Sequence, residues 1–194
     1  MAMSEDRIYA RHPPRHGAVL IVGVGVVGGF LADELAARGY SPLRLVDRDK
    51  LEEENLVRHP LGRPYLGQPK ASALANHIRE EAPWCNAIGT HANFLELPTD
   101  QQLHLARQAD IVVAAIEPVN CRRRINELCL AAEKPAVYPA VWVGEGVREA
   151  EVGEIFWVRP GRQTPCYLCL RRWRPEVGEG PTGHGTQIGD CYCY

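Results

Sequence analysis

The sequence has no long apolar run and no large excess of charge of either sign. No stretch approaches the ~20 consecutive apolar residues that a membrane-spanning helix needs, and the start, MAMSEDRIYARHPPRH, lacks the apolar core of a signal peptide. Lys and Arg number 22 against 24 Asp and Glu, a formal net charge of −2. This balance excludes a general electrostatic attraction to nucleic acid or to a membrane surface. Together these absences predict a cytoplasmic protein.

The length and composition are those of one globular domain. The chain has 194 residues, of which 45% are hydrophobic and 24% charged, enough to bury a single sizeable core. Seven unevenly spaced cysteines do not form the framework of a secreted disulfide-rich protein. In a reducing compartment a close pair such as Cys166 and Cys169 more often forms a metal site or a redox pair. The short run Arg122, Arg123 and Arg124 indicates a solvated helix face.

Short apolar runs alternate with amphipathic segments along most of the chain. Apolar or alternating runs predict strands at 18–22, 43–46, 86–92, 110–116, 135–143 and 153–160. Helical spacing predicts one helix that follows a glycine-rich turn, with Phe30, Leu31 and Leu35 on one face, and it predicts further helices at 70–81, 100–108 and 119–133. This alternation predicts an α/β, Rossmann-like fold with a mainly parallel sheet and helices on both faces.

The regions without a clear pattern divide the chain further. Residues 51–69 are polar and rich in turn residues, which predicts a long functional loop. We expect an N-terminal arm at 1–17, a nucleotide-binding domain at 18–170 and a flexible, glycine-rich crossover-like tail at 171–194. A domain does not normally finish in such a tail, so it stays open whether the chain is a piece of a longer protein.

A phosphate-binding motif follows the first predicted strand. Gly23, Gly25 and Gly28 form G-x-G-x-x-G between a strand and a helix, where the glycines permit a tight turn, a close approach of backbone to phosphate, and close packing of helix on strand. Asp47 ends the second strand, where a carboxylate binds a ribose 2′-hydroxyl. This pair suits both NAD and ATP.

The residues beyond Asp47 decide between these two nucleotides. The chain continues with Asp49, Asn55 and Arg58 in DKLEEENLVR, and then with Lys70 in GQPK. This pattern resembles the ThiF/MoeB family, which includes the domains of ubiquitin-activating enzymes and whose pattern is D-x-D-x-(V/I)-x-x-x-N-L-x-R followed by G-x-x-K. The resemblance implies an ATP site of the activating-enzyme type.

The resemblance also implies a role for each of these residues. It implies that Asp47 holds the ribose, that Asp49 and Asn55 complete a polar wall, and that Gly25 lets the phosphates sit close. Arg58, with its planar fork of donors, and Lys70, a compact charge, would neutralise the phosphates.

The implied reaction is the ATP-dependent adenylation of the C-terminal glycine of a ubiquitin-like protein. It gives an acyl-adenylate and pyrophosphate. Either thioester formation with conjugation to another protein or sulfur transfer would follow, and the sequence does not select between a conjugating and a sulfur-transfer partner. The family also implies a homodimer, in which Arg7 or Arg11 of the arm reaches the ATP of the other subunit.

The magnesium ligand departs from the family pattern. The family places an aspartate after the DIVV strand to organise Mg²⁺, whereas Glu117 stands in this chain. Glu117 is either a working substitute or a sign of reduced activity. We favour the substitute, because both carboxylates are hard oxygen ligands for magnesium. Arg122 and Asn126 follow at the family's spacing.

The cysteines fall into two groups. Cys166 and Cys169 resemble the first half of the family's zinc knuckle, and a tetrahedral site needs two more ligands, from Cys191 and Cys193 or from further downstream, unless the site is empty. Cys191 or Cys193 is also a candidate nucleophile for the activated acyl group, with His184 as a base, and the alternative is that neither cysteine has a role. The buried-looking group, Cys85, Cys121 and Cys129, is expected to be inert, and His59, His77, His91 and His104 are expected to be structural or at the surface.

Two rival functions stay open at this point. An NAD(P)-dependent oxidoreductase shares the glycine turn and Asp47, but it gives Arg58 and Lys70 no role. A non-catalytic scaffold that binds a ubiquitin-like protein is suggested by Glu117.

Overall fold

The computed structural model describes residues 15–143, 151–161 and 165–173. Its strands are β1 (Arg15–Val22), β2 (Tyr40–Asp47), β3 (Ala87–His91), β4 (Ile111–Ala114), β5 (Ala136–Val143) and β6 (Glu151–Val158). Its helices are α1 (Val26–Ala37), α2 (Lys70–Glu81), α3 (Thr99–Gln108), α4 (Val119–Ala131) and α5 (Tyr167–Trp173). Within these ranges we find no helix with the length and apolar character needed to cross a bilayer.

The strands form one sheet in the order β3-β2-β1-β4-β5-β6. Neighbours from β3 to β5 run parallel, and only the β5–β6 pair is antiparallel. The chain moves outward from β1 through β2 to β3, and then returns to the other side of β1 to form β4. This arrangement confirms the predicted α/β fold with a mainly parallel sheet.

Helices cover both faces of the sheet, because successive apolar side chains of β1 point to opposite faces and both sets must be buried. Val19 and Ile21 belong to a core on one face, together with residues of α1 and α2. Leu20 and Val22 belong to a second core on the other face, with residues of α3, α4 and α5. All four side chains are at most 3% exposed. A strand buried on both faces reads as a continuous apolar run, which is why β1 was recognisable in the sequence.

The buried face of α1 differs from the predicted one at Phe30. Phe30 is 52% exposed, and the helix instead buries its small residues, which are Gly28, Gly29, Ala32 and Ala36. A Cβ added to Gly29 would lie 3.1 Å from the Cδ atom of Pro60. The fully buried residues of the helix are therefore small, whereas Leu31 and Leu35 pack against the same core as partly buried side chains, as predicted.

The switch point of the sheet lies between β1 and β4. Successive strands depart from it in opposite directions, which leaves a crevice at the carboxyl ends of the strands where ligands bind in open α/β sheets. The glycine-rich turn follows β1, Asp47 ends β2 and Glu117 follows β4. The fold therefore brings three separate sequence signals to one edge of the sheet.

Close packing of β3 against α2 gives a test of the fold. A Cβ at Gly89 would overlap with the carbonyl oxygen of Ala71, whereas one at Gly153 in β6 meets nothing within 4 Å. We expect Gly89→Ala to lower the free energy of unfolding by about 2 kcal/mol, because backbone must move to accept the methyl group. Gly153→Ala, the control, should change it by less than about 0.5 kcal/mol. Equal effects of the two substitutions in chemical denaturation would contradict this packing.

Candidate functional site

The glycine turn after β1 uses its three glycines in different ways. Gly23 has a φ of 88°, and a Cβ there would overlap with the carbonyl of Ala115. A Cβ at Gly28 would overlap with the carbonyl of Gly23, so α1 could not pack this closely on the turn with a larger residue. Gly25, at the N-cap of α1, has nothing within 4 Å of its Cβ position, and α1 has no side-chain cap. The N-terminal end of α1 is therefore uncapped by a side chain and open beside Gly25, which suits a phosphate ligand.

The Asp47 carboxylate joins the ends of two strands. Its Oδ2 accepts a hydrogen bond from the Val24 N–H at 2.7 Å, and its Oδ1 accepts one from the Asp49 N–H at 2.7 Å. An ionised carboxylate offers about four acceptor positions, so two remain for a ligand hydroxyl. Asp47 thus shapes the turn and keeps the capacity for the ribose contact that the sequence predicts.

The segment between Asp49 and Lys70 is a loop closed at its base. The Leu51 N–H donates to the Gln68 carbonyl at 2.8 Å, and the Lys70 N–H donates to the Asp49 carbonyl at 2.9 Å. Lys70 is only 9% exposed, and its Nζ lies 3.9 Å from Asp49 Oδ2. The loop therefore returns the chain to its starting point and holds a buried ammonium group beside the edge of the sheet.

Two further predicted residues lie on this loop. The Asn55 Oδ1 accepts a hydrogen bond from the Glu52 N–H at 3.0 Å within a capping box, so this side chain shapes a short 3-10 turn, Glu53–Asn55. Arg58 is exposed, and it forms no ion pair with any residue in the part of the chain that the structure describes. Its guanidinium is therefore available to an anionic ligand.

His59, which the sequence predicts to be structural or at the surface, is a buried residue of the site. It is 7% exposed. Its Nδ1 accepts a hydrogen bond from the Leu61 N–H at 3.1 Å, so its Nε2 carries the proton and donates to the Val24 carbonyl at 2.8 Å. Burial lowers the pKa of His59, and Lys70 lowers it too, against the opposing effects of the Val24 carbonyl and Asp47. The ring is thus neutral and ties the loop to the glycine turn.

Arg122 corrects the prediction of a solvated helix face. It is 7% exposed, and its Nε donates to the Ile116 carbonyl at 2.6 Å while its Nη2 donates to the Pro139 carbonyl at 3.2 Å. A charged run on a helix does not reveal which member turns inward to bind backbone carbonyls. Arg122 thereby fixes the turn after β4 that carries Glu117, whose side chain is exposed.

Cys166 and Cys169 lie together at the start of α5, a helix that the sequence analysis did not predict. Their Sγ atoms are 3.7 Å apart, too far for a disulfide. The Asn126 Oδ1 accepts a hydrogen bond from the Tyr167 N–H at 3.0 Å, which anchors α5 to α4. Within residues 15–143, 151–161 and 165–173, no cluster of three or more His, Cys, Asp or Glu side chains is arranged to hold a metal ion.

Three further cysteines are buried and inert, as predicted. Burial raises the pKa of Cys85 to about 11 and that of Cys121 to about 11. It raises the pKa of Cys129 to about 12. The reactive thiolate form is therefore disfavoured at all three positions.

The remaining predicted residues lie outside the described part of the chain. They are Arg7 and Arg11 in the arm, and His184, Cys191 and Cys193 in the tail. Their assigned roles stay predictions.

Comparison with known proteins agrees with this geometry. The family model described as "ThiF family" matches residues 14–188. The chain is 33% identical over 161 residues to the adenylyltransferase and sulfurtransferase MOCS3-1 of Zea mays, covering 82% of this chain and 32% of that protein. It is 32% identical over 178 residues to the uncharacterized protein y4oA of Sinorhizobium fredii, covering 84% of this chain and 29% of that protein. The crystal structure of E. coli MccB with AMPCPP and MccA has a TM-score of 0.64 at 24% identity, covering 78% of this chain and 43% of that chain.

These matches differ in what they establish. The likeness to MccB concerns the fold, whereas the sequence identity and the family model concern ancestry. The chain spans 29% and 32% of the lengths of the two curated relatives, so it corresponds to one part of them. On the extent of the family match, and as the pattern from Asp47 to Lys70 predicted, the chain belongs to the ThiF family.

Proposed function

We propose that this chain binds ATP and catalyses the adenylation of a substrate carboxylate. The observation that carries the proposal is the meeting of three features at the switch point of the sheet. These are the open glycine turn at Gly25, the Asp47 carboxylate, and Lys70 held beside Asp49 by the closed loop. The relative from Zea mays that is named an adenylyltransferase supports the same reaction.

The chemistry needs positive charge more than it needs a protein nucleophile. The substrate carboxylate attacks the α-phosphorus of ATP, the bond to the bridging oxygen breaks, and pyrophosphate leaves. Charge builds on the transferred phosphate and on the leaving group, so oriented N–H donors and cations lower the barrier. The first turn of α1 supplies the donors, and Arg58 and Lys70 supply the cations. Asp47 orients the nucleotide through the ribose.

A dinucleotide-dependent oxidoreductase explains the site less well. The glycine turn and Asp47 serve either nucleotide. Lys70 adds a buried ammonium group, kept beside the strand ends by backbone hydrogen bonds of a closed loop, where a further phosphate could bind it. Its ion pair with the exposed Asp49 is long, at 3.9 Å, which is beyond hydrogen-bond distance, so the ammonium group keeps donors for a triphosphate ligand.

The substrate is proposed from the family resemblance. We infer that it is the C-terminal glycine of a ubiquitin-like protein, and that a homodimer with Arg7 or Arg11 completes each site. Thioester formation on Cys191 would follow adenylation, whereas a scaffold that only binds the same partner would form no adenylate. The name of the maize relative, which includes sulfurtransferase, supports sulfur transfer as the later use of the adenylate.

Glu117 fits a magnesium site. It is an exposed carboxylate at the carboxyl edge of the sheet, on a turn that Arg122 fixes. Magnesium keeps most of its waters and is usually held by one or two carboxylates together with substrate phosphates, so one glutamate suffices. When bound there, Mg²⁺ would supply further positive charge to the phosphates.

Cys166 and Cys169 fit half of a structural zinc site. Two thiolates on a tetrahedral Zn²⁺, each about 2.3 Å from the metal, lie about 3.8 Å apart, and the observed Sγ–Sγ distance is 3.7 Å. Cys191 and Cys193 are the candidates in this chain for the other two ligands, a role that for Cys191 is the alternative to the thioester role.

The two proposed phosphate-binding cations give a direct test. We expect Arg58→Ala combined with Lys70→Met to weaken ATP binding by about 100-fold, because two charge-assisted contacts to phosphate are lost while the apolar stem at position 70 is kept. Isothermal titration calorimetry with ATP and magnesium measures this affinity.

Arg63→Ala is the matched control for that double variant. Arg63 lies on the same loop, is exposed, and pairs with Glu53 at 3.4 Å. An exposed pair of this kind contributes little, so ATP affinity should stay within about 2-fold of the wild-type value. The proposal would be wrong if the control and the double variant bound ATP equally well.

The zinc proposal predicts metal content. The full chain purified with zinc should hold about one Zn²⁺ per molecule, and Cys166→Ser should lose most of it, because a structural site needs four ligands. Cys121→Ser, a change at a buried cysteine of α4, should retain the metal. Zinc content by mass spectrometry that is the same in all three proteins would reject this assignment.

A further inference from the structure

Side chains hold both peptide groups that flank the Val24 Cα in the described structure. In the Gly23–Val24 peptide group, the Val24 N–H donates to Asp47 Oδ2 at 2.7 Å. In the Val24–Gly25 peptide group, the Val24 carbonyl accepts a hydrogen bond from His59 Nε2 at 2.8 Å. Asp47 ends β2 and His59 follows Arg58 on the loop, so His59 is the side chain that holds the Val24–Gly25 peptide group.

Fixing the Val24 carbonyl also fixes the next donor. In a trans peptide the C=O and the following N–H point in opposite directions across one plane. With the Val24 carbonyl directed at His59, the Gly25 N–H is directed away from His59. Gly25 has open space at its Cβ position, which is where the proposed phosphate would lie.

His59 itself has little freedom to move. Its ring is 7% exposed. A Cβ added to Gly29 would lie 3.4 Å from His59 Nε2, and 3.1 and 3.2 Å from the Cδ and Cγ atoms of Pro60. The Leu61 N–H donates to its Nδ1 at 3.1 Å, which sets the tautomer that places the proton on Nε2. Gly29 thus lets the His59–Pro60 segment pack closely on α1, with the tightest contacts made by Pro60.

We propose that His59 is a positioning residue that, in its neutral form, orients the Gly25 N–H toward the phosphates of ATP and joins the Arg58 segment to the glycine turn. This inference rests on the proposed ATP site and adds a residue to it. His59 contacts backbone and no reacting atom, so its effect passes through the orientation of a donor.

Protonation of His59 would break this arrangement. A doubly protonated imidazole has two donors and no acceptor, so its Nδ1 would face the Leu61 N–H donor. The charged groups that act on the ring are Lys70 from α2, which disfavours protonation, and Asp47 from β2, which favours it. The pKa of His59 is lowered in the folded protein. The neutral imidazole with its two hydrogen bonds is therefore fully present above the ordinary histidine pKa, and it is lost as the pH falls through the lowered pKa.

Two substitutions in the full chain separate positioning from simple packing. His59→Leu keeps an apolar side chain of similar size but removes both hydrogen bonds, and we expect ATP with magnesium to bind about 10-fold more weakly. His59→Gln carries a donor and an acceptor on two atoms bonded to the same carbon, as the neutral imidazole does, and should bind within about 3-fold of the wild type. A residue important only for packing would lower the unfolding temperature of His59→Leu and leave the ATP dissociation constant unchanged.

A pH series decides the question even if His59→Leu does not fold. Between about pH 7.5 and about pH 5, the wild type should lose more ATP affinity than His59→Gln, whose amide does not titrate. The titration of ATP itself is common to both proteins and cancels in the comparison. If His59 served as a cation for phosphate, acidification would instead strengthen wild-type binding relative to His59→Gln.

The outcomes distinguish the two levels of the proposal. A wild-type chain that does not bind ATP overturns the proposed function and this inference together. A wild type that binds ATP, with His59→Leu equal to it or with parallel pH profiles for wild type and His59→Gln, overturns the role of His59 alone. Weaker binding by His59→Leu, rescue by glutamine and the steeper wild-type loss in acid together support it.

Discussion

The hydrogen bonds of the Asp47 carboxylate are the constraint on which the site depends. One oxygen holds the glycine turn after β1 and the other holds the turn after β2. The loop that follows begins at Asp49 and ends at Lys70, whose N–H donates to the Asp49 carbonyl. Lys70 therefore begins α2 beside the carboxyl ends of the strands, with its ammonium group near Asp49. Asp47, which the sequence predicts only to bind ribose, therefore also sets the distance between the N–H donors of the glycine turn and the ammonium group of Lys70.

The sequence predicted the parts of this arrangement that depend on local pattern. Lys70–Glu81 was predicted as a helix with the bounds observed, and β1 was visible as a buried apolar run. The glycine turn could be read because Gly23 and Gly28 meet backbone too closely for any other residue. These features need only neighbouring residues and the geometry of one strand and one helix.

The features that the sequence did not predict depend on contacts between distant segments. Phe30 was expected inside, but α1 packs through glycine and alanine against Pro60. Arg122 was predicted to be solvated, but it donates to the Ile116 carbonyl in the turn after β4. His59 is hydrogen-bonded to backbone groups of Val24 and Leu61. No periodicity marks such residues, because their partners are set by the tertiary structure. The cytoplasmic location, the homodimer and the tail cysteines stay predictions from the sequence.

The central claim is that this ThiF-family site takes a mononucleotide triphosphate. Thermal unfolding of the full chain with ATP and magnesium, compared with NAD at the same concentration, tests this most directly, because a ligand that binds only the folded state stabilises it. The account predicts that ATP at about 100 times its dissociation constant adds about 2.7 kcal/mol and raises the midpoint, while NAD leaves it unchanged. Protection by NAD without protection by ATP would contradict the account.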